Sequence, residues 1–456
     1  LHRVAILQRL LLLPVLPPAS GHRGVDLAAV LADRGGTDLE KVLAMMQSDV
    51  IGGIAAVPAQ DETECWSKGD VFIVWLIGCV TILRNTTLGI PVPLPVYYGI
   101  WGVGAGWTLL RMPGKALQVN PAAAVLGLAA VCSIIANDIP EFFHPWLRLL
   151  GWGMVMFLTS NLLDSGYLRQ FRLHLSRTFD WLLAAGVGVS LLSCAIPFLP
   201  QYYGSQLHGI FSQPMLCGPF AAITAIWALY QARLHGNRRW LWLGAACMAT
   251  AAAMLSGSRG AVAGLICGVL FFIFFNTRKH LAMLQIAVLI GIAAATFSRW
   301  DDAAETLWEK TQAGLERSNS IFDSRASKWE IQWEDFTEHP VLGNGFANSS
   351  DYFFLSMDNA GVEPGSGWIY VLASTGIFGG VCVAAMIFRL WAVFLHKSHD
   401  VNLETVFRMA VLAFFMIHLC IEGYIFFAGS PLCVLFWLTQ GRCSDLLSSP
   451  SRSPEP

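Results

Sequence analysis

Blocks of nearly uninterrupted apolar sequence recur along this chain from Val71 onward, and one long charged insert, Arg299 to Gly367, breaks the series. No other feature constrains the fold as much. A bilayer asks for about 20 apolar residues per helix, and blocks of that order fall at roughly 71–83, 93–110, 119–137, 147–163, 181–199, 217–232, 240–256, 258–275, 281–298, 368–391, 406–426 and 428–440. The expected class is an all-α integral membrane protein with about 10–12 transmembrane helices and one large extramembrane loop. Composition agrees: 55% of residues are hydrophobic and 13% charged, with mean hydropathy +0.54, against about 25% charged residues in a soluble domain. The insert opens RWDDAAETLWEK and closes DNAGVEPGSGW. Lipid cannot satisfy such a density of polar groups, so the insert belongs outside the membrane.

Positive charge sets the orientation. Arg and Lys gather in every second short loop: RMPGK (Arg111, Lys115), RQFRLHLSR (Arg169, Arg172, Arg177), RLHGNRR (Arg233, Arg238, Arg239), TRKH (Arg278, Lys279) and RLWAVFLHK (Arg389, Lys397). Those loops are expected to be cytoplasmic, with NTTLGIPVP, NDIPEFFHPW, QYYGSQLHGIFSQP and the insert facing outward and both termini inside. The chain then divides into an N-terminal extension (1–66), transmembrane helices (67–298), the outward loop (299–367), further helices (368–440) and a cytoplasmic tail (441–456). The first methionines are Met45 and Met46, and the composition before them differs from the rest. Two readings follow: a native start at one of those methionines, or a cytoplasmic extension.

Several functions are disfavoured by what the residues lack. Most of the 11 cysteines sit inside apolar blocks, with no CxxC pair and no Cys/His cluster at metal spacing, so they read as small buried hydrophobes. No basic tract points to nucleic acid. Neither a Walker motif nor a nucleotide-sugar acidic cluster is present, and no cofactor or metal is expected. A transporter or flippase of lipid-linked oligosaccharide would carry charges within its spans and related halves. The apolar blocks hold almost no ionisable residues, and the insert has no counterpart in the first half.

One arginine breaks the charge parity. Arg259, in MLSGSRGAVAGL, follows a tight turn at the outer surface whose Ser256, Gly257, Ser258 and Gly260 allow close backbone approach. A guanidinium there suits a phosphate or pyrophosphate; the alternative is an interfacial Arg reaching headgroups or an insert carboxylate. Within the insert, Asp323 or Ser324 is placed to cap a helix running through Glu338. On it Arg325, Trp329, Trp333 and Phe336 share a face, the two indoles reading as membrane-surface anchors. His339, before Pro340, reads as a helix-exit residue, and Gly343 and Gly345 turn the chain back toward the membrane.

These motifs together, SGSRGAVAGL, then SRASKWEIQWEDFTEHPVLGNG, then GWIYVLASTGIFGG, with LHGIFSQPMLCG before them, resemble the O-antigen ligase and Wzy-type polysaccharide polymerase family over roughly residues 205–391. The resemblance implies a bacterial inner-membrane glycosyltransferase whose large loop is periplasmic. It further implies an undecaprenyl-diphosphate-linked oligosaccharide as donor, a saccharide acceptor and, for a polymerase, a chain-length regulator as partner. It places Arg325 at a position used to recognise the diphosphate. The resemblance is broken at one point: where ligase-type members carry a His thought to serve in catalysis, this chain has Gly365 and Ser366. The remaining polar candidates for catalysis are Asp351, Asp358, Glu363 and Ser366; His208 and His339 join Arg259 and Arg325 as substrate-binding candidates. The expected reaction is metal-independent glycan transfer by a polymerase, with a ligase to lipid A core as the alternative and a flippase as the second alternative.

Overall fold

The computed structural model describes residues 66–88, 92–112, 118–194, 202–203, 206–276, 323–350, 352–356, 359–362, 364–398 and 401–448. Over these the protein is a helical bundle: α1 (Lys68–Leu83), α2 (Leu94–Arg111), α3 (Pro121–Ala136), α4 (Pro145–Thr159), α5 (Gly166–Ser193), α6 (Pro214–Leu234), α7 (Arg239–Leu255), α8 (Arg259–Asn276), α9 (Asp323–Glu338), α10 (Gly367–His396), α11 (Leu403–His418) and α12 (Pro431–Ser448). Strands are confined to two-stranded antiparallel pairs: Gln118–Val119 with Leu163–Asp164, Tyr202–Tyr203 with Gln206–Leu207, and Tyr352–Ser356 with Asn359–Val362. α5, α6, α8 and α10 are each long and apolar enough to cross a membrane by length and composition.

Helix starts follow local chemistry. Ser67 and Asp70 form a capping box at α1, and the Asp70 carboxylate also accepts from the Trp107 indole (2.7 Å) and the Tyr167 hydroxyl (2.8 Å), tying α1 to α2 and α5. Ser165 caps α5 through the Leu168 amide, and Pro occupies the first turn of α3, α4 and α6, where its missing N–H costs nothing.

Three expectations change. First, α5 begins at Gly166, so RQFRLHLSR is helix, where a loop was expected. Its Arg172 is fully buried and grips Asp445 of α12 through two hydrogen bonds (2.9 and 2.6 Å). Second, α12 continues to Ser448, so residues 441–448, expected in the tail, are helical, and Arg442, Cys443 and Asp445 are buried. Third, the helices do hold ionisable residues. Arg408 pairs with Asp180 (3.0 and 2.6 Å) and Arg442 with Glu404 (2.9 Å), joining α5, α11 and α12. Pairing inside the bundle satisfies these charges, which is why the apolar pattern conceals them.

The block 406–426 is not one helix. α11 stops at His418, and residues 419–430 run as irregular backbone whose carbonyls are bound by the protein: Leu419 by the Gly367 amide, Ile425 by the Trp437 indole and Ala428 by the Tyr97 hydroxyl. Buried non-helical backbone needs such partners from the protein. Segments that charge parity assigns to one side do meet: Thr87 and Ser212 bond to Ile210 and Asn85, and Asn137 donates to the Gly343 carbonyl at 2.9 Å. The expected span at 281–298 and the start of the insert lie outside the described residues.

Candidate active site

The SRG turn is built by small side chains. Gly257 takes a positive φ of 64°. Ser256 accepts from the Ser258 amide, and Ser258 caps the first turn of α8 by accepting from Ala261. Gly218 of α6 brings backbone against the turn so closely that a Cβ there would meet the Ser256 hydroxyl at 2.5 Å. α8 then leans on α11, where Gly264 leaves room only for the Phe414 ring. Arg259 opens α8 half-buried.

α9 carries the second arginine on a face that differs from the expected one. Its buried positions are Arg325, Gln332 and Asp335. Trp329 donates its indole N–H to the Gly365 carbonyl (2.9 Å), Gln332 accepts from the Ser366 amide (3.1 Å), and Asp335 accepts from Asn344 and from Ser350. Trp333 is about half exposed beside Phe336. Only Trp333 keeps an exposed indole; Trp329 instead fastens α9 to the start of α10, because its N–H finds a backbone acceptor.

The loop after α9 explains the glycines and the second motif. Gly376 breaks α10 with φ 63° and ψ −165°. The HPVLGNG loop fills that break: the Ile377 amide donates to the Pro340 carbonyl and the Asn344 amide to Ala373. A Cβ at Gly376 would lie 2.2 Å from the Val341 oxygen, and one at Gly343, whose φ is 73°, would lie 2.5 Å from the Ala373 oxygen. Loop and helix are thus keyed together, and Ser133 of α3 holds the same point by donating to the Ser374 carbonyl (2.7 Å).

Two candidates come together. Gly260, next to Arg259, packs against His418 and Ile421, and Arg325 pairs with Glu422 one residue further on, so α8 and α9 bring both arginines to the end of α11. Arg325 also pairs with Glu422, a residue far from it in sequence. Ser366 is buried, and its hydroxyl donates to the Leu419 carbonyl (3.2 Å), so its observed contacts are those of a seam between α10 and α11. His208 is buried with Nδ1 2.7 Å from the Phe211 carbonyl, in the turn leading to α6. His339 is exposed at the exit of α9, where its carbonyl accepts from Gly343. Asp351, Asp358 and Glu363 lie outside the described residues. Gly365 is packed closely: a Cβ there would be 2.7 Å from Lys328 Cβ and from Trp329 Cδ1. A side chain at that position has to displace Trp329.

Sequence reasoning missed Glu422, His418 and Tyr424, which sit in HLCIEGYIF and were absorbed into an apolar block. A signal was present: a His and a Glu inside a presumed span mark a functional site by default. Among the described residues no cluster of His, Cys, Asp or Glu is arranged to hold a metal ion.

Residues 243–384 match the family model described as O-antigen ligase, and over that stretch the chain is O-antigen ligase-like. The match runs from α7 through the SRG turn, α8, α9 and the break in α10, and so includes both arginines. No curated protein matches the chain.

Proposed function

We propose that this protein is an inner-membrane polysaccharide polymerase. It transfers glycan from an undecaprenyl-diphosphate-linked donor to a saccharide acceptor on the periplasmic side, where the loop 299–367 lies. The observation that carries the reading is that Arg259 and Arg325, delivered by separate elements within the O-antigen ligase-like stretch, both reach the end of α11. A diphosphate offers enough oxygens for two planar guanidinium forks. Glu422 holds Arg325 in place from the end of α11.

In the reaction the acceptor hydroxyl oxygen attacks the anomeric carbon of the donor sugar. The bond from that carbon to the diphosphate oxygen breaks, and lipid diphosphate leaves with the electron pair. Arg259 and Arg325 stabilise the charge that develops on the departing oxygen, which arginines supply without a metal. Asp351, Asp358 and Glu363 are the carboxylates near the loop's return that are proposed to accept the hydroxyl proton.

The ligase reading has one observation in its favour, the description of the matched family. The polymerase reading rests on Gly365, where tight packing against Trp329 leaves no room for the His that ligase-type members carry. Deleting the gene in its native host separates the two. A polymerase leaves single repeat units on the lipid carrier; fully polymerised, lipid-linked chains that fail to reach lipid A core identify a ligase and overturn the proposal.

A further inference from the structure

Where the end of α6 and the start of α7 pass α5, the described residues leave a cleft of about 400 Å³. Its sides are apolar, formed by Trp181, Leu241, Trp242 and Ala245. Trp181 and Trp242 each stand edge-on to Trp227 of α6, with ring centroids 5.0 and 5.3 Å away, so the indoles brace one another. Trp181 and Leu241 are exposed, as is the neighbouring Trp240. The mouth of the cleft therefore lies on the outside of the bundle, among residues suited to a membrane interface.

The rim is basic. Gln231, His235 and Arg238 complete the lining, and Arg177 is exposed on α5 one turn from Trp181, on the same face. α7, whose first turn supplies Leu241 and Trp242, opens at Arg239 with no side chain capping its first amides, so its dipole adds partial positive charge at the same place. The lining holds no carboxylate to cancel this charge. The sequence has no Asp or Glu between Asp180 and Asp301, and Asp180 is engaged by Arg408.

We propose that this cleft binds an anionic phospholipid from the leaflet that the loop RLHGNRR is expected to face, the cytoplasmic one. The lipid phosphate accepts from Arg238 and the opening amides of α7, and one acyl chain lies along the sides formed by Trp181, Trp242 and Ala245. The two halves of the site select the occupant. Apolar sides reward a ligand that carries hydrocarbon, which a free phosphate lacks, and a basic pocket between helices at this surface suits an acidic headgroup over a zwitterionic one. A volume of about 400 Å³ falls among small-molecule sites and is too small for a folded partner. None of the lining residues belongs to α8 or α9, so the inference goes beyond the diphosphate reading and survives its failure.

The test uses the full-length protein, delipidated in a neutral detergent, with phosphatidylglycerol, phosphatidylethanolamine, undecaprenyl phosphate and inorganic phosphate as probes. Native mass spectrometry counts bound lipid, and thermal unfolding follows stability. Phosphatidylglycerol should occupy one tight site and raise the melting temperature; phosphatidylethanolamine and inorganic phosphate should do neither. Arg238→Gln should weaken phosphatidylglycerol binding about fivefold, the share of one basic residue at a membrane surface. Ala245→Phe fills the cleft from an exposed position and should remove the tight site, with the lipid-free melting temperature kept. Arg389→Gln takes an exposed charge from α10, outside the lining, and should leave binding unchanged. The assignment is overturned if Arg389→Gln weakens binding as much as Arg238→Gln does, which would make the attraction diffuse surface charge. It is overturned equally if folded Ala245→Phe keeps the tight site, if phosphatidylethanolamine binds as well as phosphatidylglycerol, or if undecaprenyl phosphate binds more tightly, which would make this a site for the carrier lipid. Should Ala245→Phe fail to fold, the two arginine variants still decide.

Discussion

At its start α11 presents Glu404 and Arg408, each gripped by an opposite charge from a neighbouring helix, whereas its end packs His418 against Gly260, the neighbour of Arg259, and leads to Glu422, the partner of Arg325. Ten residues of helix, about 15 Å, separate Arg408 from His418. At the first end Arg172, Arg408 and Arg442 meet Asp445, Asp180 and Glu404 in a network whose charges cancel within the bundle. At the second, Glu422 holds Arg325 beside the start of α8, which carries Arg259. Buried charges matched inside a protein hold helices in register; like charges brought together are arranged for something that arrives from outside.

The largest expected effect tests that contrast directly. Arg259→Ala and Arg325→Ala should each lower glycan transfer by about a hundredfold or more, with unchanged protein in the membrane fraction, and Lys at either position should restore only part. Asp445→Ala should instead strand Arg172 and cost about 3–5 kcal/mol, seen as lost protein and a lowered melting temperature, while the double variant Arg172→Met/Asp445→Leu recovers both protein and transfer. The contrast breaks if Asp445→Ala keeps normal protein levels yet abolishes transfer.

Next in size are the glycines that key the loop into α10. Gly376→Ala and Gly343→Ala each place a methyl group against backbone and demand a left-handed conformation, for a loss of about 2–3 kcal/mol or more. Thermal unfolding in detergent measures it, and a shift no larger than that of Gly236→Ala, where a Cβ meets nothing within 4 Å, would refute the keyed geometry. The smallest effect separates the two indoles of α9. Trp329→Phe should cost about 1 kcal/mol through its lost bond to Gly365, and Trp333→Phe should stay within about 0.5 kcal/mol; equal shifts in melting temperature would restore the view that both are surface anchors.

How far the sequence could be read follows from what each residue is paired with. Apolar periodicity marked α6, α7, α8 and α10 to within a few residues, because their polar neighbours lie in turns. It failed at α5, since Arg169, Arg172 and Arg177 read as a loop when nothing in one dimension reveals Asp164 and Asp445 waiting beside them. Arg259 and Arg325 were legible as candidates because a turn and a helix face exposed them. Glu422 and His418 were not, because a run of Leu, Ile and Phe masks a helix end, and only the folded chain shows backbone leaving helical form at residue 419. The glycines of HPVLGNG announced a turn, but that the turn seats in a broken helix depends on Gly376, some 30 residues later in the chain.

One property of Arg325 concerns how far a small change travels. Gly365, Ser366, Asn344 and Ser350 hold α9, and Glu422 holds the guanidinium. The arginine is therefore set by two supports that are remote from it in sequence, the start of α10 and the irregular backbone after α11. A substitution that shifts either support re-aims the guanidinium without touching it, so loss of transfer and loss of the arginine's placement are separable events.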